Sequence, residues 1–340
     1  MLKSTFSANA TKIICSAGIS LLALIASAKP VEQHGYNTGH FALELDGQIA
    51  GWVTGVEGGS IKADVITEKL GADNLLNKQS GAIKYQEISL RCGLGMSKQL
   101  YDWIKAECAG TFTRHTGAIV TTDASFRPIQ RMEFYNGVLS EIGFPALDAA
   151  SKDAAYLTIH ISPQMTKIED VKGQSALKAP ATVQKRWLPA NFKLSIKGLD
   201  CTKVNKIEAI VIKQKVVESA TGALQDYQKA GSIQDSNVIV TLPETNAQQF
   251  ETWRQLFVVK GNTAAAEKTG SLVFLDAGLQ NSLFTLNFMD LGIFKISVVK
   301  TEPGSDNIKR VKVEMYCERI TFDYRSEAFA SRRAKPSTGG

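Results

Sequence analysis

The chain has 340 residues, enough for two domains that each bury a core. Hydrophobic residues make up 44% and charged residues 21%, which excludes a disordered or fibrous chain. The net charge is +6 and the Lys and Arg residues are scattered, which argues against specific nucleic-acid binding through a basic patch.

Residues 1–28 read as a secretory signal peptide. Lys3 and Lys12 give a positive start, Ile13 to Ala28 carries no charge, and the stretch closes on Ala26-Ser-Ala28, a small-x-small cleavage pattern. The apolar run is short of the ~20 residues a membrane span needs. The alternative is a start near Val31. With the leader the protein is expected outside the cytoplasm, periplasmic or extracellular; without it, in the cytoplasm or in a particle. Four cysteines lie beyond the leader, Cys92, Cys108, Cys201 and Cys317, and no Cys-x-x-Cys occurs, so zinc and thioredoxin chemistry find no support. In an oxidising compartment Cys201 and Cys317 form a candidate disulfide; the competing reading is two buried thiols.

From Phe41 the pattern has period two. Phe41, Leu43 and Leu45 share one face of a strand and Glu44 and Asp46 the other. Ile83 and Tyr85 alternate, then Ile88, Leu90 and Cys92 alternate with opposite parity, which predicts a bulge. Glu68 to Gly81 is polar, aperiodic and expected to be a long loop. Leu100, Trp103, Ile104 and Cys108 make one helical stripe after Ser97, a candidate cap. Leu157, Ile159 and Ile161 close this first block. The region from Ser162 to Pro189, with Pro163, Pro180 and Pro189, reads as inter-block, and the linker is placed at 166–189.

The second block repeats the grammar. Phe192, Leu194 and Ile196 alternate, as do Val238, Val240 and Leu242, then Phe284, Leu286 and Phe288, then Val311, Val313, Met315 and Cys317. Glu218 to Ser236 is again expected to be a loop. Phe250, Trp253 and Phe257 make the helical stripe, with Thr245 and Gln248 as a capping box. Trp103 and Trp253 are expected to anchor their helices on the sheets. Phe41 to Gly47 answers to Phe192 to Gly198, Trp103 to Trp253, and Glu141-Ile-Gly-Phe144 to Asp290-Leu-Gly-Ile293. Three landmarks in one order at nearly one spacing indicate a tandem duplication, an arrangement suited to assembly or binding. The fold class expected is mainly β with some α: two tandem antiparallel β-barrel or sandwich domains, each with one flanking helix, at 39–165 and 190–325, with a disordered tail at 326–340.

Catalytic constellations are not evident. The four histidines, His34, His40, His115 and His160, have no Ser or Cys at a catalytic spacing, and no Gly-x-Ser-x-Gly elbow exists. Gly93-Leu-Gly95 lacks the rest of a phosphate loop. No catalytic, cofactor-binding or metal-binding residue is assigned, and the protein reads as a non-enzyme without cofactor.

The first block resembles the tail tube proteins of contractile phages and phage-tail-like injection systems. The residues that carry the resemblance are His40-Phe-Ala-Leu-Glu-Leu-Asp-Gly47, Val56-Glu-Gly-Gly59, Tyr101-Asp-Trp-Ile-Lys105 and Ile142-Gly-Phe-Pro-Ala-Leu-Asp-Ala-Ala-Ser-Lys-Asp-Ala-Ala155, leading into Leu157 to Ile159. It covers about Gly39 to Met165. The second block keeps the layout, ending in Val313-Glu-Met-Tyr-Cys-Glu318, but has Gly304-Ser-Asp306 in place of the Ala-Ser run. The resemblance implies small β-barrels that assemble into stacked rings around a channel, with hairpins or loops pairing between neighbours. Two barrels per chain then imply a trimer with pseudo-six-fold symmetry. The implied partners are the chain itself and the sheath, baseplate or cap proteins of an injection system. The other reading is a secreted two-domain binding module that reuses the fold.

Overall fold

Alternation and two tight turns shape the first block. In the computed structural model, residues 39–70, 75–171, 173–179, 187–219, 227–261, 263–300 and 308–325 are described. The leader at 1–28, Gly304-Ser-Asp306 and the tail at 326–340 lie outside them. Strand β1 (His40–Leu45) buries Ala42, Leu43 and Leu45, then turns through Asp46 and Gly47, both at positive φ, into β2 (Gln48–Gly58). A hairpin of β3 (Ile61–Leu70) and β4 (Leu75–Tyr85) follows, then β5 (Ile88–Cys92), helix α1 (Lys98–Cys108), β6 (His115–Thr122), β7 (Pro128–Phe144), the short β8 (Leu147–Asp148), β9 (Leu157–Ser162) and β10 (Met165–Asp170). Six strands close a barrel in the order β7-β6-β1-β2-β5-β9, with β9 returning to β7.

The second block comprises β11 (Phe192–Ile196), β12 (Lys206–Ile207), the hairpin β13 (Ile210–Ser219) and β14 (Tyr227–Asp235), β15 (Val238–Pro243), helix α2 (Gln248–Arg254), a π turn (Gln255–Val259), the one-turn α3 (Thr263–Ala266), β16 (Lys268–Leu275), β17 (Ser282–Val298) and β18 (Arg310–Tyr324). Its strands run β11-β16-β17-β18-β15-β12, the same circular order as in the first block. Here the circle is open: among the described residues no ladder joins β11 to β12, and Ile196 at the end of β11 bridges to Leu199 in the turn that follows it. Strand β8 of the first block continues the sheet beyond β12, pairing Leu147 with Ile207 and Asp148 with Lys206, whose side chains form a 2.7 Å ion pair.

Register corrects one landmark. Asn136 and Asp290 both hold positive φ, 49° and 54°. Around them β6 and β7 slip between His115↔Gly137 and Gly117↔Phe134, and β16 and β17 slip the same way between Lys268↔Leu291 and Gly270↔Phe288. Asp290 therefore answers to Asn136 rather than to Glu141, and the residue that answers to Glu141 is Lys295. A bulge between β7 and β9 after Leu139, matched after Ile293 between β17 and β18, fixes the same alignment.

Three local expectations change as well. The stretches expected as loops are hairpin arms: Glu68 to Leu70 and Leu75 to Gly81 lie in β3 and β4, and Glu218, Ser219 and Tyr227 to Asp235 lie in β13 and β14. In β3 and β4 the polar, weakly periodic composition goes with exposure on both faces rather than with missing ladder bonds. The parity change after Tyr85 separates two strands and is no bulge. The α2 cap position belongs to Ala247, with no side-chain cap, because Thr245 falls in a 3-10 turn at Glu244–Asn246. Ser97 does cap α1, accepting from the Leu100 N–H at 3.4 Å.

One hydrophobic core runs through both blocks. Tyr101 lies 5.7 Å from Phe284, and Phe144 lies 6.0 Å from Phe274 and 5.8 Å from Phe322, centroid to centroid. Trp187, in the stretch read as linker, is buried against Phe274 and Phe284 at 5.3 and 5.4 Å. In the same stretch Thr166 belongs to β10, buried, its hydroxyl donating to the Gly59 carbonyl at 3.0 Å. Tyr101 and Phe144 of the first block, with Trp187, thus pack on the aromatic core of the second.

Candidate assembly interface

The contact between blocks is built from a strand edge and a helix. Ile210 to Lys213 of β13 pair antiparallel with Phe144 to Glu141 of β7, adding the hairpin to the outside of the first barrel. Ile210 and Ile212 are buried there, and Lys213 meets Glu141 at 2.9 Å. Beside this seam α1 lies against β18. Tyr101 packs on Phe284, Phe322 and Tyr324, Lys105 pairs with Asp323 at 2.6 Å, and the Tyr324 hydroxyl donates to Asp102 at 2.7 Å.

The equivalent surfaces on the far sides of both blocks are exposed. No described strand pairs with the outer edge of β17 at Lys295 to Val298, the counterpart of Glu141 to Phe144, nor with the outer edge of β3. Hairpin β3–β4 forms its own two-stranded sheet and exposes Ile61, Val65, Ile66, Leu76 and Ile83. The π turn after α2 exposes Leu256, Val258 and Val259, and β17 exposes Phe294 and Val298. Apolar area gathered on two sides of one chain, beside free strand edges, marks interaction surface.

Each sequence-predicted residue has a definite place. Trp103 and Trp253 are both buried, on α1 and α2. Trp253 donates its indole N–H to the Ala266 carbonyl at 2.7 Å. Trp103 lies 4.6 Å from His115, ring to ring, with the planes tilted by 53°, and its N–H has no partner among the described residues. Cys201 is buried and Cys317 half-buried; both are free thiols, and the Cys317 thiol contacts the Met289 and Arg319 carbonyls at 3.3 and 3.1 Å. Burial pushes the Cys317 thiol up to about 11. His115 pairs with Asp46 at 2.7 Å, His160 with Glu87 at 3.1 Å, and His40 stacks on Phe126 at 4.3 Å. His34 lies outside the described residues.

Sequence reasoning missed Glu107 and Asp235. Glu107 lies at the end of α1 with its carboxylate buried and without a partner among the described residues, and burial pushes its pKa to about 7. Asp235 ends β14, also raised by burial, to about 6, although one oxygen accepts from the Ile320 N–H at 3.0 Å. It also missed a groove of about 690 Å³ beside α1, lined by Asp46, Ile49, Gln99, Trp103, Thr113 and His115. The Thr113 hydroxyl is buried and has no partner among the described residues. Among the described residues no cluster of three His, Cys, Asp or Glu side chains could hold a metal, and no helix is long and apolar enough to cross a membrane.

Residues 37–167 match the family of T4-like virus tail tube protein gp19, the kind of protein the first block's sequence resembles. No curated protein matches the chain. Among solved structures, a chain of the PVC sheath-tube complex of an extracellular contractile injection system is 21% identical, covering 41% of this chain and 95% of that one, with a TM-score of 0.36. A chain of the tube-terminating cap of the anti-feeding prophage is 13% identical, covering 45% and 96%, with a TM-score of 0.29. Hcp1 from Flavobacterium johnsoniae is 12% identical, covering 39% and 95%, with a TM-score of 0.25.

Proposed function

We propose that the chain is a structural subunit of a phage-tail-like tube, or of a ring at its end, and that three copies close a ring of six barrels. The carrying observation is the seam between β7 and β13 inside one chain. The same two surfaces recur, unpaired, at the chain's far sides: the β17 edge of one copy and the β3–β4 hairpin of the next. Following the two registers, Ser60 of one copy would lie opposite Ser297 of its neighbour, as Val211 lies opposite Gly143 within the chain. Each head-to-tail contact repeats the last, and closure removes the free edges. The chain acts by assembly rather than catalysis. Its other partners would be sheath, baseplate or cap proteins, and its place an injection particle.

The test combines electron microscopy and mass photometry of the purified chain with the variant Ser60→Cys/Ser297→Cys. Rings in multiples of three chains, with disulfides between copies under mild oxidation, are expected. Monomers at high concentration, with no cross-linked copies, would sink the ring and turn attention to a two-domain binding module.

A further inference from the structure

The groove beside α1 has a counterpart in the second block that the chain fills by itself. Trp103 and Trp253 are 150 positions apart, whereas His115 and Lys268 are 153 apart, so the second block has three more residues between helix and strand. There the chain makes α3, whose Ala266 is buried and accepts from the Trp253 indole at 2.7 Å. The first block has no such turn. Its groove of about 690 Å³ stays open over Ile49, Trp103 and Ala106, and Ile49 is 40% exposed. The ionisable side chains on its wall are Asp46, paired with His115 at 2.7 Å, and Asp102, paired with Lys98 at 2.5 Å.

The last strand of the second block ends at this groove. Tyr324 closes β18; its hydroxyl donates to Asp102 at 2.7 Å and lies 3.5 Å from the Lys98 carbonyl, and both partners line the groove. Beyond the exposed Arg325 the sequence continues Ser326-Glu-Ala-Phe-Ala-Ser-Arg-Arg-Ala334. Phe329 is the one large apolar side chain between 326 and 340, and Arg332, Arg333 and Lys335 follow it. Five residues of extended chain span up to about 17 Å, so Phe329 is within reach of Ile49 from Tyr324. The other end of the described chain starts farther off. Strand β1 carries it from His40 over six residues, about 20 Å, before Asp46 meets the groove.

We propose that residues 328–334 of the same chain dock in the α1 groove, with Phe329 over Ile49 and Ala106 and the two arginines at the Asp46 rim. The second block covers its helix with an inserted turn; the first covers its own with the returning C-terminal segment. Placing the Phe329 ring against Ile49 removes apolar area from water on both sides. Arg332 and Arg333 bring positive charge to a wall with two carboxylates, where exposed pairs add little and chiefly set the register. A short connection to Tyr324 gives the segment a high effective concentration at the groove, so a weak contact is populated within one copy. The segment then straps the last strand of the second block to the helix of the first. Groove and occupant belong to one copy, so the proposal stands apart from the ring.

The test places a thiol on the groove wall of the full chain, Gln48→Cys, with the parent chain as background for its own cysteines. Maleimide labelling of that thiol is expected to be slow, and adding Phe329→Asp should speed it at least about tenfold. Combining Gln48→Cys with Ala330→Cys should give, under mild oxidation and at high dilution, a disulfide within one chain, read on a non-reducing gel and by intact mass. Phe329→Asp should cut its yield by a similar factor. Phe329 lies beyond the last strand and outside both cores, so unfolding cannot mimic either change. Labelling and linking that Phe329→Asp leaves unchanged would mean an undocked segment and overturn the proposal. Links formed only between copies would also overturn it, since the occupant would then come from a neighbour.

Discussion

Glu107 and Phe257 stand at the same place in the two blocks, 150 positions apart like the tryptophans. Phe257 packs on Trp253 and Tyr316 at 6.2 and 6.0 Å. Glu107 puts a carboxylate into a comparable setting, and burial alone raises its pKa from 4.5 to about 7. A raised acid pKa means that the folded state holds its proton more tightly than the unfolded chain does. The fold is therefore favoured below about pH 4.5 and loses that contribution as pH rises through about 7. Glu107→Gln should stabilise the chain by about 2 kcal/mol at pH 8, and the gain should fade toward pH 5. Thermal melts of both proteins at the two pH values decide it; an equal gain at both would mean that the carboxylate is already neutral or solvated. Nothing in the sequence announced this residue. Glu107 ends an ordinary amphipathic helix, and that helix packs on β18, contributed by residues more than a hundred positions away. The tryptophans were legible because their aromatic area at helical spacing has one sensible destination.

At the scale of elements, strands with one wet face were readable and strands with two were not. Phe41-Ala-Leu-Glu-Leu45 alternates because one side faces the barrel interior, whereas β3 exposes both faces and so resembles a loop in composition. In the proposed ring its partner edge would lie on a neighbouring chain, and a single sequence cannot display that. The equivalence of Asp290 with Glu141 fails for a related reason: Asp290-Leu-Gly and Glu141-Ile-Gly look alike, but the bulge shared by β6–β7 and β16–β17, not composition, fixes the alignment. The bulge also yields a ranking. A Cβ on Gly117 would stand 2.2 Å from the Glu44 carbonyl oxygen and 2.5 Å from the Phe134 ring, while one on Gly270 would stand 2.9 Å from the Ser195 carbonyl oxygen. Backbone cannot yield as a flexible side-chain tip can. Gly117→Ala should cost about 3 kcal/mol and Gly270→Ala about 1, measured by denaturant unfolding. The reverse order would mean that the first barrel accommodates the methyl by opening its β1–β6 seam.

For the whole molecule, the sequence indicates two domains and the structure joins their interiors, so separability becomes the question. The seam inside the chain is aromatic: Tyr101, Phe144 and Trp187 meet Phe274, Phe284 and Phe322. The counterparts at the outward surfaces carry no aromatic rings and are polar apart from Ile168. Glu251, ion-paired with Arg254, stands where Tyr101 would be, and Gln130, Ile168 and Asp170 stand for Phe284, Phe322 and Tyr324. Covering an aromatic core stabilises far more than covering ion-paired side chains, which keep much of their hydration. Contacts between copies should therefore be reversible and contacts between blocks should not. Dilution is expected to release folded single chains from rings, seen by mass photometry with an unchanged circular dichroism spectrum. Each single chain should then melt in one calorimetric transition whose van't Hoff and calorimetric enthalpies agree. Either block alone, 39–170 or 187–325, should aggregate, because each would expose half of a shared aromatic core. Two resolved transitions would mean that the blocks fold independently and that the inner seam is merely the ring contact made within one chain.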